Sequence, residues 1–229
     1  MNSINDLVIK QRDCDKKLHR WKTWNPNTPF APTIDASIYL DSIQHSVANL
    51  LIDFIIENNL GSYENDAWKK YNIFSFDNPL LLDLRNSIWK SYNDYCKSLG
   101  VEIYPRDFIF IRGWGLKLSQ NENVKIHSHS LHENTFVSGN ISLSDNNTTT
   151  DYWIPLFSLY HGMFECKNIP GTMALFPSWL QHGVNPNTSG KDRYSFAFDL
   201  FTKKSIEYVL ETNTQDTDSG KPIVLSVPL

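Results

Sequence analysis

The residues best equipped for chemistry in this chain are His127, His129, His182 and Arg193. His127 and His129 flank Ser128. In an extended strand, side chains two residues apart point to the same face, so the two imidazoles converge. His182 ends the segment Phe176-Pro177-Ser178-Trp179-Leu180-Gln181-His182 and supplies a third imidazole if a barrel closes on the first two. Imidazole nitrogens suit Fe, Zn, Cu and Ni. Arg193 carries a permanent cation whose planar fork fits a carboxylate, and Ser195 lies two residues on, on the same strand face. The spacing implies a metal beside a carboxylate clamp. A lone His-x-His is weak evidence, and His19, His45 and His161 read as ordinary surface or core histidines.

These side chains need a rigid frame. After Pro105 the sequence turns strand-like, first over 108–111 and 114–118 and then near 136–143, 152–160, 172–176, 181–184 and 193–200. Turn material separates the segments. Many short, evenly spaced strands predict an antiparallel sandwich or barrel. Upstream, Ile43, Val47, Leu50, Leu51, Phe54 and Ile55 recur at helical steps, predicting a helix within about 35–59. A second helix is predicted over 79–99, opened by Asn78-Pro79 and closed by Gly100. Its aromatic stripe reads as core. Residues 1–10 suggest a short strand around Leu7-Val8-Ile9, and 21–35 an irregular, proline-rich connection. The tail from Glu211 to Lys221 is polar, and 222–229 can dock as a last strand. The expectation is one mainly β (α+β) domain over 1–229. Residues 1–104 form an N-terminal arm and helical support layer, and 105–229 a double-stranded β-helix (jelly roll, cupin-like) core.

The chain has 229 residues, 41% hydrophobic, and a formal net charge of −4. No basic excess points to nucleic acid. Cys14, Cys96 and Cys166 are scattered, which fits a reducing cytoplasm rather than a disulfide framework. The longest apolar run, near Leu50 to Ile56, is interrupted by Asp53 and is too short to span a bilayer. The start, MNSINDLVIKQRDCDKK, carries charges where a signal peptide needs an apolar run. A small-molecule or peptidyl substrate is expected, with no nucleic acid and no membrane. Oligomeric state stays open.

The stretch from Trp114 to Phe198 resembles the iron(II)/2-oxoglutarate-dependent oxygenases, in particular a prolyl-hydroxylase-like branch found often in marine bacteria and phages. The resemblance rests on the strand Trp114-Gly115-Leu116-Lys117-Leu118, on His127-x-His129, and on Ser138-Gly139. It rests further on Gly171 followed by Phe176-Pro177-Ser178-Trp179 and His182, and on Arg193-x-Ser195-x-Ala197-Phe198. It implies a jelly roll with Fe(II) near its open end, held by His127 and His182 on strands of opposite walls. It also implies 2-oxoglutarate on the metal, its distal carboxylate gripped by Arg193 and Ser195. The implied activity is hydroxylation of a substrate C–H bond with O2, releasing succinate and CO2.

Two positions depart from that family. Where it places Asp or Glu, this chain has His129; His132 and Glu133 are the other candidates for the second ligand. Where it places a Tyr that helps hold 2-oxoglutarate, this chain has Ser142, and Lys117 or Tyr152 are candidates to compensate. Trp114, Trp153 and Trp179 are candidate pocket walls, with core filling as the plainer reading. Two other functions compete. One is a cupin-like three-histidine iron dioxygenase that uses no 2-oxoglutarate. The other is a non-catalytic jelly-roll binding module.

Overall fold

Alternation decides the architecture. In the run Arg193-Tyr194-Ser195-Phe196-Ala197-Phe198-Asp199-Leu200, small or polar residues alternate with large apolar ones, so a strand here presents two different faces. The computed structural model, which describes residues 8–10, 17–23, 27–30, 33–61, 71–130, 133–155, 163–212 and 226–229, builds a two-sheet sandwich from such strands.

In chain order the strands are β1 (Val8–Lys10), β2 (Leu18–Lys22), β3 (Asp35–Ser42), β4 (Ile109–Leu118), β5 (Val124–His127), β6 (Val137–Ser142), β7 (Thr149–Trp153), β8 (Met163–Lys167), β9 (Thr172–Pro177), β10 (Gln181–Val184), β11 (Arg193–Thr202) and β12 (Val227–Pro228). One sheet has five strands in the order β1-β8-β7-β10-β5, and the other seven in the order β12-β4-β11-β6-β9-β3-β2. The pairings are antiparallel except β1 with β8. Strands β4 to β11 alternate between the two sheets, except that β7 and β8 are neighbours in the five-stranded one, as in a double-stranded β-helix. This is the expected jelly roll.

The helices are α1 (His45–Glu57), α2 (Pro79–Leu99) and α3 (Lys203–Thr212). Helix α2 follows its sequence closely. The Asn78 side chain accepts from the Leu80 N–H, Pro79 opens the first turn, and Gly100 ends it at φ 69°, a left-handed conformation suited to glycine. Helix α2 buries Leu81, Leu84, Ile88, Tyr92 and Tyr95 in a core shared with Leu51 and Ile55 of α1 and Phe196 and Phe198 of β11. The helices therefore cover the outer face of the seven-stranded sheet, as expected of a support layer. That packing is tight. A Cβ on Gly139 would lie 2.2 Å from Phe198 Cζ. A second core, including Tyr152, Phe164, Phe176 and Leu180, fills the space between the sheets.

The N-terminal region is more than helical. Helix α1 is confined to 45–57, and 35–42, expected within that helix, is strand β3. Its run Ala36-Ser37-Ile38-Tyr39-Leu40 is buried on both faces, and a continuous apolar run fits a central strand as well as a helix. Strand β2 runs only at Trp21 and Lys22 into the 21–35 connection expected to be irregular, β8 and α3 were not anticipated, and β12 docks on β4 as expected. Most of the polar tail lies outside the described residues.

Candidate metal centre

The interior polar row comes from register. Arg193, Ser195, Ala197 and Asp199 of β11 stand opposite Leu118, Leu116, Trp114 and Arg112 of β4, and directly paired residues share a face. Ser195 and Asp199 are likewise paired with Ser142 and Ser138 of β6. The alternate residues, Phe196 and Phe198, serve the helix-side core. One face of β11 thus packs the fold and the other carries chemistry.

The three histidines meet. One ligand atom from each of His127, His129 and His182 lies within 4.8 Å of the others. Ring centroids are 4.4 Å apart for His127 and His182, 5.0 Å for His129 and His182, and 5.3 Å for His127 and His129. The route differs from the expected one. His127 and His182 are direct partners on neighbouring strands β5 and β10, so they share a wall instead of facing each other across the barrel. His129 lies beyond the end of β5. Its backbone N–H donates to the Ser178 carbonyl at 2.9 Å, which ties it to the segment leading into β10.

Hydrogen bonds set the ring orientations. His127 Nδ1 meets the Lys125 carbonyl at 2.8 Å and His182 Nδ1 meets the Leu180 carbonyl at 3.1 Å. His129 Nδ1 meets Asp199 Oδ1. Carbonyls and carboxylates only accept, so each Nδ1 carries a proton, and in a neutral ring the lone pair is then on Nε2. That is the tautomer a metal requires at Nε2. Desolvation, with His129 and His127 alongside, holds His182 well below the ordinary imidazole range. Desolvation and His129 lower His127 as well. Both rings are thereby kept neutral, the ligating form. Trp114, Phe176 and Tyr152 wall the cluster, with ring centroids 5.8 Å from His129 for Trp114 and 4.7 and 5.8 Å from His182 for Phe176 and Tyr152. His127 forms its more open side.

Behind His129 stands a set of residues that the sequence reading did not single out. Asp199, 2% exposed, accepts from His129, from Ser138 Oγ at 2.7 Å and from an Arg112 terminal nitrogen at 2.6 Å. Burial alone would raise its pKa, but His129, Arg112 and Ser138 together hold the carboxyl below the usual range. Counting inward by twos from Arg193 reaches Asp199, and that parity was the available signal.

Arg193 is buried, 3% exposed. One terminal nitrogen donates to Ser195 Oγ at 3.2 Å, and its buried Nε finds no partner. Desolvation lowers it to about 10, against a smaller upward pull from Tyr152. Tyr152 is stacked on His182 and within electrostatic reach of Arg193.

The other expected residues fall elsewhere. Lys117 is on the opposite face of β4, 40% exposed and paired with Asp192 at 2.8 Å. Ser142 is buried, but its hydroxyl donates to Asn168 Oδ1 at 3.1 Å. Trp179 packs at the edge of the inter-sheet core, and Trp153 pairs with Gln181 on the five-stranded sheet. Glu133 is exposed and outside the cluster. His132, like His161, lies outside the described residues.

The donor set corrects the expected activity. A 2-oxoglutarate-dependent hydroxylase of the resembled family uses two histidines and a carboxylate. Among the described residues this cluster is three histidines with no carboxylate, which matches a three-histidine iron site better. Of the two residues expected to compensate for the missing Tyr, Lys117 pairs with Asp192 on the other face of β4, whereas Tyr152 lies within electrostatic reach of Arg193. Imidazole donors suit Fe, as they do Zn, Cu and Ni.

Residues 158–199 match the family model described as "Putative 2OG-Fe(II) oxygenase". That span holds His182, Arg193, Ser195 and Asp199. No curated protein sequence matches the chain. The fold is similar to that of a Pseudomonas putida prolyl-4-hydroxylase, with a TM-score of 0.55 and 9% identity over 72% of this chain and 92% of that one. It is also similar to AviO1 from Streptomyces viridochromogenes Tue57, with a TM-score of 0.52 and 13% identity over 73% of this chain and 90% of that one. Among the described residues no helix is long and apolar enough to cross a membrane.

Proposed function

We propose that this chain is a three-histidine iron dioxygenase that acts on an acidic small molecule without 2-oxoglutarate. Its kinship is with the 2OG-Fe(II) oxygenase superfamily, which accounts for the shared fold and for the family match over β8 to β11. The observation that carries the reading is the convergence of three imidazoles with no carboxylate in the cluster, among the described residues.

Iron bound there would supply O2 activation, a chemistry that side chains alone lack. His127, His129 and His182 would hold the ion, with Nε2 as the donor atom where Nδ1 is engaged. Arg193 orients the substrate: a buried guanidinium with an open Nε takes an acidic group as a charge-assisted pair, and Ser195 adds a hydroxyl beside it. Tyr152, stacked on His182 and within electrostatic reach of Arg193, would help set the distance from acid to metal. Trp114 and Phe176 exclude water from the far side of the cluster, and His127 leaves the near side open for entry. No protein general base is needed.

The test is O2 uptake by Fe(II)-loaded protein against a panel of small carboxylic acids, with and without 2-oxoglutarate. The reading predicts uptake driven by one of the acids alone, with both atoms of labelled O2 in the product. Succinate release strictly tied to 2-oxoglutarate would overturn it. Failure to bind iron at all would favour a non-catalytic binding module.

A further inference from the structure

We propose that Asp199 is a positioning residue for the metal centre: it fixes the His129 ring and returns to the site, one hydrogen bond behind the metal, negative charge that three imidazoles lack. The inference rests on the metal-centre reading above and adds a residue that acts through His129.

The three histidines are braced differently. His127 and His182 each donate Nδ1–H to the carbonyl two residues before them, Lys125 and Leu180. That brace is local and comes with the strand. His129 lies outside β5 and has no such carbonyl. Its Nδ1 is met by Asp199, a residue brought from β11. A ligand outside regular structure needs an external anchor, and a carboxylate is the strongest acceptor available.

Asp199 is itself fixed. Its Oδ1 faces His129 and Ser138, and its Oδ2 faces Arg112. A carboxylate only accepts, so Ser138 donates to it, and the Ser178 hydroxyl, 2.8 Å from Ser138 Oγ, supplies Ser138 in turn. Arg112 is clamped with its guanidinium carbon 5.2 Å from the Trp114 ring and 5.4 Å from the Phe201 ring. Trp114 also packs on His129. The carboxylate cannot rotate away without unpairing a buried arginine.

Charge follows from this geometry. Arg112 neutralises Asp199 overall, but it sits on the far oxygen, while the near oxygen touches the imidazole. The nearer charge dominates at the metal. A carboxylate behind a ligating imidazole holds its tautomer and raises its basicity.

The test is anaerobic Co(II) titration of wild type, Asp199→Asn and the Asp199→Asn/Arg112→Met double variant, the last removing both charges together. Loss of the carboxylate is expected to weaken Co(II) binding by about 10- to 100-fold in whichever variant folds, as judged by circular dichroism. Binding within twofold of wild type would overturn the proposal. Proton spectra of Co(II)-loaded wild type give a readout that a merely structural role would not move, and they decide the matter even if neither variant folds. Three hyperfine-shifted, solvent-exchangeable ring N–H signals are expected, with His129's the slowest to exchange. Fewer signals, or a fast-exchanging His129 proton, would overturn it. A wild type that binds no Co(II) or Fe(II) defeats the metal-centre reading itself. Unchanged affinity in the variants defeats only the role of Asp199.

Discussion

Two arginines are buried on adjacent strands of one sheet, and only one has a carboxylate. Arg112, 7% exposed, pairs with Asp199 at 2.6 Å. Arg193, 3% exposed, reaches Ser195 and, among the described residues, has no carboxylate partner and an unpartnered Nε. Burying an uncompensated charge is costly, while a well-formed pair offsets most of that cost. In the Arg112 region both oxygens of Asp199 accept hydrogen bonds. The Arg193 region is one anion short. On the proposed reading the first holds a metal ligand still, and the second receives the substrate's acidic group.

The largest expected effect is at the cluster itself. His182→Ala should abolish stoichiometric Fe(II) binding in an anaerobic titration, because two imidazoles remain and the removed ring is the most buried of the three. Next comes the comparison of the arginines, read by urea unfolding of the metal-free protein. Arg112→Met should destabilise by about 3–5 kcal/mol, since it breaks a buried pair and leaves Asp199 short of a partner. Arg193→Met should go the other way, neutral or stabilising by about 1–4 kcal/mol, since it replaces an uncompensated charge with an apolar chain. Equal losses at both positions would erase the distinction.

Acid should act on the metal-free protein through His182 and His127. Both lie below the ordinary imidazole value of about 6.5 when folded, chiefly through desolvation. Between the unfolded and folded values the unfolded chain binds more protons, so stability rises with pH there. Their contribution is therefore complete above about pH 6.5 and is lost as pH falls through the folded values. A thermal midpoint that does not drop on acidification below pH 6.5 would contradict the burial of these rings. The smallest effect is at Lys117. Its pair with Asp192 is solvent-exposed, so Lys117→Ala should change stability by less than about 1 kcal/mol and leave Fe(II) affinity unchanged. A large loss of affinity would return Lys117 to the site.

Much of the frame was legible because its signals are local. Asn78-Pro79 and Gly100 bracket α2 without help from the rest of the fold, and the alternation of β11 can be read from its own ten residues. The three histidines were legible because imidazole is the right donor and His-x-His the right spacing. What depended on pairing was not. Nothing in the sequence says that β5 and β10 are neighbours, so His127 and His182 were expected on opposite walls. Nor does it say that position 112 stands opposite 199, and each residue alone looks like an ordinary charge. Strand β3 was taken into a helix because Ile38, Tyr39 and Leu40 form an unbroken apolar run, which carries no period of its own. The ligand set, and with it the activity, turned on whether a carboxylate reached the cluster, and distance along the chain does not decide that.

X-ray absorption on the anaerobic Fe(II)-loaded protein tests the central claim most directly. The account predicts one iron per chain coordinated by three imidazole nitrogens, with the remaining positions filled by solvent. A protein carboxylate in the first coordination shell, or only two imidazoles, would contradict it.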